Sequence, residues 1–128
     1  MGDSQGAFES LCVRLKEELP NCETHGVRGN CDLDDHITPT NKLIELGGKR
    51  IYMLHGHLFP EVRTLNNYSK IVAFAKKQHA DLLLLGHTHR QKYEIIDGLR
   101  VINPGAASLD RYAVLTIAPD GYVELCMK

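Results

Sequence analysis

The chain has 128 residues, and its 15 Lys and Arg against 16 Asp and Glu give a formal charge of -1. This balance argues against dedicated binders of nucleic acid or anionic membranes, which hold their partners through clustered positive charge. No apolar run reaches the roughly 18 residues of a membrane span, and the first ten residues do not resemble a secretory signal. We therefore expect one domain over residues 1–128, located in the cytoplasm.

The first half of the chain alternates a helix with short strands. An amphipathic helix is predicted over residues of about 5–19, because apolar side chains recur every three or four positions until Pro20 ends the pattern. A short strand is predicted over residues 25–30, followed by an acidic loop. Residues 42–46 and 50–54 predict a hairpin around Gly47 and Gly48, so that His55 lies at the end of its second strand.

The second half adds a helix, a buried strand and an antiparallel region. A helical apolar stripe runs over residues 62–79, and the continuous apolar run of residues 81–85 is typical of a strand buried on both faces. That strand leads directly into Gly86 and His87. Further strands are predicted at residues 92–96, 99–102, 111–117 and 122–127, so the fold class is α/β.

Potential metal ligands recur where the predicted strands end. Each of them alone is more typical of a turn or of polar surface. Their ordered recurrence is informative, because an α/β sheet gathers the carboxyl ends of its strands at one edge, where ligands bind. The residues are Asp3, Asn30, His55, His87 and His89.

The motifs around these residues resemble a known family. They are, in order, Gly2-Asp3, Gly29-Asn30-Cys31-Asp32, His55-Gly56, Gly86-His87-Thr88-His89 and Asn103-Pro104-Gly105. Together they resemble the calcineurin-like metallophosphoesterase superfamily, and within it the YfcE-type phosphodiesterase branch. The resemblance implies a calcineurin-like sandwich, in which mixed β-sheets are flanked by helices.

The resemblance also implies a site for two divalent metal ions. By matching motif, Asp3 bridges the ions, Asn30, His55 and His87 bind one of them, and His89 binds the other. Such a donor set suits Mn²⁺, Ni²⁺, Fe²⁺ or Zn²⁺, and a hydroxide held between two ions can attack a phosphoryl group. The implied function is hydrolysis of a small phosphodiester or phosphomonoester, with no membrane and no nucleic acid as partner.

The chain departs from the family at its start. The family opens with a strand bearing Asp-x-His, whereas this sequence begins at the Gly2-Asp3 motif. The alternative, that Asp3-Ser4-Gln5 is itself the opening motif, is disfavoured because too few residues separate it from Gly29 to hold a βαβ unit of about 30 residues. We therefore expect a domain without its first strand and helix, one tight and one weak metal site, exposed apolar residues around Leu82–Leu85, and a tendency to form homo-oligomers.

A second departure concerns the proton for the leaving group. Many family members have His where this chain has Cys31, and a thiol is a poor general acid for an alkoxide. We expect either activated leaving groups or the use of His57, for which a surface position is an equal alternative. Asp32 is expected to orient a ligand or cap a turn, and Asn103 to contact substrate or only form a turn. The candidate catalytic residues are therefore Asp3, Asn30 and His57, with Cys31, His57 and Asn103 as candidate substrate contacts.

A non-catalytic role is the rival hypothesis. A retromer subunit resembles the same branch and is thought to act through protein contacts, so the alternative is a metal-binding or protein-interaction scaffold. That scaffold departs from the Gly-Asn motif. This chain keeps Asn30, His55, His87 and His89 together, which favours an enzyme.

Overall fold

The computed structural model describes residues 1–128 as a mixed α/β fold. None of its helices has the length and apolar character needed to cross a membrane. A short 3-10 helix covers Ala107–Leu109 between the fifth and sixth strands. The other elements are α1 (Ala7–Glu18), β1 (Asn41–Leu46), β2 (Lys49–Leu54), α2 (Pro60–Thr64), α3 (Ser69–Lys77), β3 (Leu82–Leu84), β4 (Lys92–Ile96), β5 (Leu99–Asn103), β6 (Ala113–Ile117) and β7 (Val123–Met127).

Five strands form the main sheet in the order β1-β2-β3-β5-β4, and β6 and β7 form a separate hairpin. The central strands β2, β3 and β5 are parallel, with Tyr52, Leu83 and Val101 side by side in the register. The edge strands β1 and β4 are antiparallel to their neighbours. Helices α2 and α3 make the crossover that two parallel strands require.

The two faces of the main sheet bury separate apolar clusters. Because successive side chains of a strand point to opposite faces, Leu83 packs with Ile71 and Val72 of α3, while Leu82 packs on the other face. The β6–β7 hairpin covers that second face with the partly buried Leu115 and Leu125. The sheet therefore lies between a helical layer and a hairpin.

The buried strand predicted at residues 81–85 is confirmed, but the expected exposure of Leu82–Leu85 is wrong. Leu82, Leu83 and Leu85 have no exposed surface, and Leu84 is half-buried. The reason is that β3 lies between β2 and β5 and is covered on both faces.

Two other predicted elements differ from the structure. The single helix over residues 62–79 is two helices, separated where Asn66 has a φ of 49° and where the Asn67 side chain accepts a hydrogen bond from the Ser69 N–H. Residues 25–30 form no strand, and their one backbone hydrogen bond outside regular elements joins Arg28 N–H to Pro39 O. The remaining strands lie within two residues of their predicted bounds. The predicted N-terminal helix is present as α1, although none of its residues is buried.

Candidate metal centre

The two central histidines come from neighbouring parallel strands. His55 follows β2 directly, and His87 lies three residues beyond β3, with Gly86 N–H bonded to His55 O. Carboxyl ends of adjacent parallel strands meet at one sheet edge, which brings the two rings together. His87 Nδ1 lies 3.2 Å from His55 Nε2, and the ring centroids are 5.0 Å apart.

The N-terminal segment is held to the same edge by Asp32, which is only 6% exposed. Its carboxylate accepts N–H groups from Asp3 at 2.7 Å, Gln5 at 2.6 Å and Gly29 at 2.8 Å, and the Ser4 hydroxyl at 3.3 Å. Burial acts to raise the pKa of Asp32, but these hydrogen bonds favour the ionised form more strongly and lower its pKa. Asp32 therefore holds the backbone that carries Asp3 in place. This contact is the one expected of a residue that orients a ligand.

Asp3 is locked in position by its surroundings. Its backbone has a φ of 58°, and Oδ1 accepts the Cys31 N–H at 2.8 Å while Oδ2 lies 3.1 Å from His55 Nε2. A Cβ added to Gly29 would collide with both Oδ1 and the backbone nitrogen of Asp3. Position 29 therefore needs glycine for space.

The atoms around His55 Nε2 are arranged for a cation. His55 Nδ1 lies 2.6 Å from the Met1 carbonyl, which can only accept, so Nδ1 carries the proton and Nε2 presents its lone pair. That lone pair faces Asp3 Oδ2 and Asn30 Oδ1, each at 3.1 Å, and His87 Nδ1 at 3.2 Å. Two of these partners are oxygens without a proton to donate. Such a convergence of lone pairs is stabilised by positive charge, and the donor types suit a first-row divalent ion.

The residues offering such atoms form one compact group. Asp3, His55 and His87 each contribute one ligand atom, and these atoms all lie within 4.8 Å of one another. His55 is buried and the other two are half-buried, so the group is partly accessible to solvent. Asn30 is exposed but turns its amide oxygen toward His55. The structure therefore brings together four of the five predicted metal ligands.

His89, the fifth predicted ligand, stands apart from that group. It is exposed, has a φ of 59°, and lines the same cavity of about 730 Å³ as Asp3 and His87. Its role at a second ion remains a prediction.

The two candidate proton donors lie beside the group. The His57 ring is 5.5 Å from that of His55 and 6.4 Å from that of His87, and its Nδ1 is buried without a hydrogen-bond partner. Burial, and then the neighbouring His55, lowers the pKa of both His57 and His87, which favours neutral rings. Desolvation and the nearby Asp3 raise the pKa of the exposed Cys31 thiol. A lowered pKa leaves little of the His57 ring protonated near neutral pH, and a raised pKa makes the Cys31 thiol a weaker acid.

Asn103 holds the loop that carries His87. Its fully buried side chain donates to Gly86 O at 2.7 Å and to Thr88 Oγ1 at 3.0 Å, and accepts the Gly105 N–H at 2.9 Å. Its amide groups are engaged inside the protein, so the structure shows a positioning role. Contact with a substrate stays a prediction.

One contact at the candidate metal centre was missed by reasoning from the sequence. The Met1 carbonyl orients His55 by fixing its tautomer, as ligating histidines commonly require. A backbone oxygen leaves no trace in the residue types, so no sequence signal could have indicated it.

Comparison with known proteins identifies the family of this chain. Residues 1–118 match the family model described as the calcineurin-like phosphoesterase superfamily domain. The chain belongs to the calcineurin-like phosphoesterase superfamily. It is 36% identical over 99 residues to a probable metallophosphoesterase of Mycoplasma pneumoniae, covering 77% of this chain and 60% of that protein. It is 34% identical over 113 residues to the probable metallophosphoesterase YsnB of Bacillus subtilis, covering 83% and 64%. The chain therefore spans less than two thirds of the length of either relative.

Solved structures confirm the predicted fold class. A predicted phosphoesterase from Streptococcus pneumoniae superposes with a TM-score of 0.68 at 20% identity, covering 100% of this chain and 95% of that one. Vps29 from Entamoeba histolytica, solved in complex with Zn²⁺, also gives 0.68, at 22% identity, covering 91% and 73%. At these identities the similarity establishes the calcineurin-like fold alone.

Proposed function

We propose that this chain is a metal-dependent phosphoesterase that hydrolyses small phosphodiesters at a dinuclear site. The observation that carries the proposal is the convergence of Asp3, Asn30 and His87 on the lone pair of His55 Nε2. Family membership supports the same chemistry. Phosphomonoesters are a second substrate class with the same reacting group.

Two overlapping sets of side chains would bind the two metal ions. Asp3, Asn30, His55 and His87 would bind the first ion, while Asp3 and His89 would bind a second one more weakly. Mn²⁺, Ni²⁺, Fe²⁺ and Zn²⁺ match these oxygen and nitrogen donors. When bound, divalent ions lower the pKa of water and neutralise charge on phosphoryl oxygens.

The surrounding residues restrict the leaving group. The lowered pKa of His57 leaves little of its ring protonated near neutral pH, and the raised pKa of Cys31 makes its thiol a poor proton donor, so neither residue readily supplies a proton. The chain should therefore favour substrates whose leaving group departs without a proton, such as aryl esters, over alkyl esters.

Hydrolysis of bis-p-nitrophenyl phosphate by the metal-stripped full chain, with Mn²⁺ or Ni²⁺ added back, tests the proposal. We expect metal-dependent turnover that is lost in His87→Ala. The matched control is His36→Ala, which removes an exposed histidine from a loop and should leave turnover unchanged. Metal bound per chain is counted for all three proteins.

Metal binding without turnover would contradict the proposal and favour the scaffold hypothesis. The structural similarity to Vps29 is the observation that favours a scaffold, and one of these Vps29 structures was solved with Zn²⁺. Binding of metal alone therefore does not discriminate between the two functions, whereas hydrolysis does.

A further inference from the structure

A second pocket shares a loop with the candidate metal centre. Residues of the loop after β3 line the two cavities alternately: His87 and His89 face the metal-site cavity, while Thr88 and Arg90 face the second pocket. This pocket has a volume of about 470 Å³ and lies between that loop and the turn joining α2 to α3. We call it the basic pocket; it is lined by Val62, Arg63, Asn66, Tyr68, Thr88, Arg90, Gln91 and Lys92.

The lining of the basic pocket contains three cations and no acidic residue. Lys92 is already engaged, since its Nζ lies 2.5 Å from a Glu94 oxygen and 4.5 Å from the centre of the Tyr68 ring. Arg63 and Arg90 have no carboxylate within 4.0 Å; the arginine ion pairs of the structure involve Arg14 and Arg50 instead. Two guanidinium groups therefore offer uncompensated charge to one concave site.

A neutral donor completes the pocket and is held rigidly. Thr88 Oγ1 accepts the Asn103 side-chain amide at 3.0 Å and the Arg90 N–H at 3.4 Å, which leaves its hydroxyl hydrogen free to donate. Asn103 is fully buried, and Tyr68 in the pocket lining is only 6% exposed. The Thr88 hydroxyl is therefore held in place by a buried side chain.

We propose that the basic pocket binds a phosphoryl oxyanion. Guanidinium groups match the geometry of phosphate oxygens through paired hydrogen bonds, and the Thr88 hydroxyl can add a third donor. The concave shape fits a small anion better than the acidic surface of a folded protein. The anion has two sources, either a second phosphoryl group on the substrate or a separate phosphate that binds beside the metal centre.

The first experiment measures anion binding without any hydrolysis. The metal-stripped full chain is titrated with inorganic phosphate and followed by ¹H–¹⁵N NMR, so that no metal ion can bind the phosphate. We expect saturable shifts of the Thr88, Arg90 and Gln91 amides. The variant Arg63→Gln/Arg90→Gln should bind at least about tenfold more weakly, because it removes both guanidinium groups and their charge-assisted hydrogen bonds. The control Arg14→Gln/Lys16→Gln removes the same charge from exposed positions of α1 and should bind as the parent does.

The second experiment identifies the source of the anion. Metal-loaded protein is assayed with bis-p-nitrophenyl phosphate and with a p-nitrophenyl phosphodiester that carries a terminal phosphomonoester. A rise in KM confined to the second substrate in Arg63→Gln/Arg90→Gln would assign the pocket to the substrate. Equal KM values, with phosphate binding still lost, would assign it to a separate ligand.

The proposal is overturned by two outcomes of the NMR titration. One is no saturable shift at these amides, including the case in which only an acidic protein or polymer binds. The other is equal phosphate affinity in the variant and the parent. Since this titration involves no turnover, its failure is distinct from failure of the proposed hydrolysis.

Discussion

The two halves of the candidate metal centre are held in place by different forces. His55 and His87 extend from neighbouring strands of a sheet whose central residues, such as Leu83, are fully buried. Asp3 and Asn30 lie outside any strand, and the intervening helix α1 buries none of its residues. Apolar packing therefore fixes one half, and hydrogen bonds to Asp32 fix the other. Global stability and metal affinity should consequently respond to different substitutions.

The largest expected effect is the loss of unfolding free energy when a buried side chain of the main sheet is truncated. Leu83→Ala should lower the free energy of unfolding by about 3 to 5 kcal/mol, because it opens a cavity in the larger apolar cluster. Leu11→Ala on α1, where the side chain is 51% exposed, should cost less than about 0.5 kcal/mol. Urea denaturation of the metal-free variants measures both values. Equal losses would show that the two regions are packed alike.

The next effect separates activity from stability. Gly29→Ala places a methyl group against Asp3, which must move away from the histidines. We expect kcat/KM for bis-p-nitrophenyl phosphate to fall about 100-fold, as small displacements of catalytic groups can do. The urea midpoint should change far less than in Leu83→Ala. Unaltered kinetics would mean that Asp3 is not part of the reacting site.

Removing the charge of Asp32 tests the half of the site that hydrogen bonds hold in place. In Asp32→Asn an amide NH₂ would face backbone N–H donors, so the segment carrying Asp3 loosens. Metal affinity should fall by about 10- to 100-fold, the range typical of groups that orient ligands. Asp35→Asn is the matched control, since Asp35 accepts two N–H groups in the same loop without touching Asp3. Isothermal titration with Zn²⁺ would contradict this account if both variants bound equally.

The smallest expected effect is a pH dependence of stability. The pKa of Asp32 is lowered in the folded chain, so its contribution is complete above the ordinary Asp pKa of about 3.9 and is lost as pH falls through the lower folded value. The difference in unfolding free energy between the parent and Asp32→Asn should stay constant from pH 7 to 5 and shrink below pH 4. Urea denaturation of metal-free protein at each pH measures it. A difference that grows on acidification would reverse the assigned sign.

Several elements were predictable because their pattern is local. The apolar run before Gly86 predicted a buried strand, and alternation with turn residues predicted the hairpins near their observed bounds. The broken helix was missed, since the stripe of residues 62–79 continues across the break while Asn66 and Asn67 interrupt the backbone.

Long-range contacts explain the other misses. Residues 25–30 have a strand-like sequence, but a strand forms only beside a partner, and the main sheet provides none there. The expected exposure of Leu82–Leu85 failed for the opposite reason, because β5 pairs with β3 and the hairpin covers that face. In both cases the outcome depends on whether a distant strand lies alongside, and the sequence of the segment alone does not indicate this.

The sequence by itself determined the family, the α/β fold class and the residue types of the candidate metal centre. Spaced motifs determine these because ligand chemistry depends on side-chain identity. Only the tertiary structure decided that Asp32 holds the backbone of Asp3, that a backbone carbonyl of Met1 orients His55, and that Arg63 and Arg90 line one pocket. Those contacts join residues 27 or more positions apart, and their geometry follows from how the strands and loops pack rather than from any local pattern.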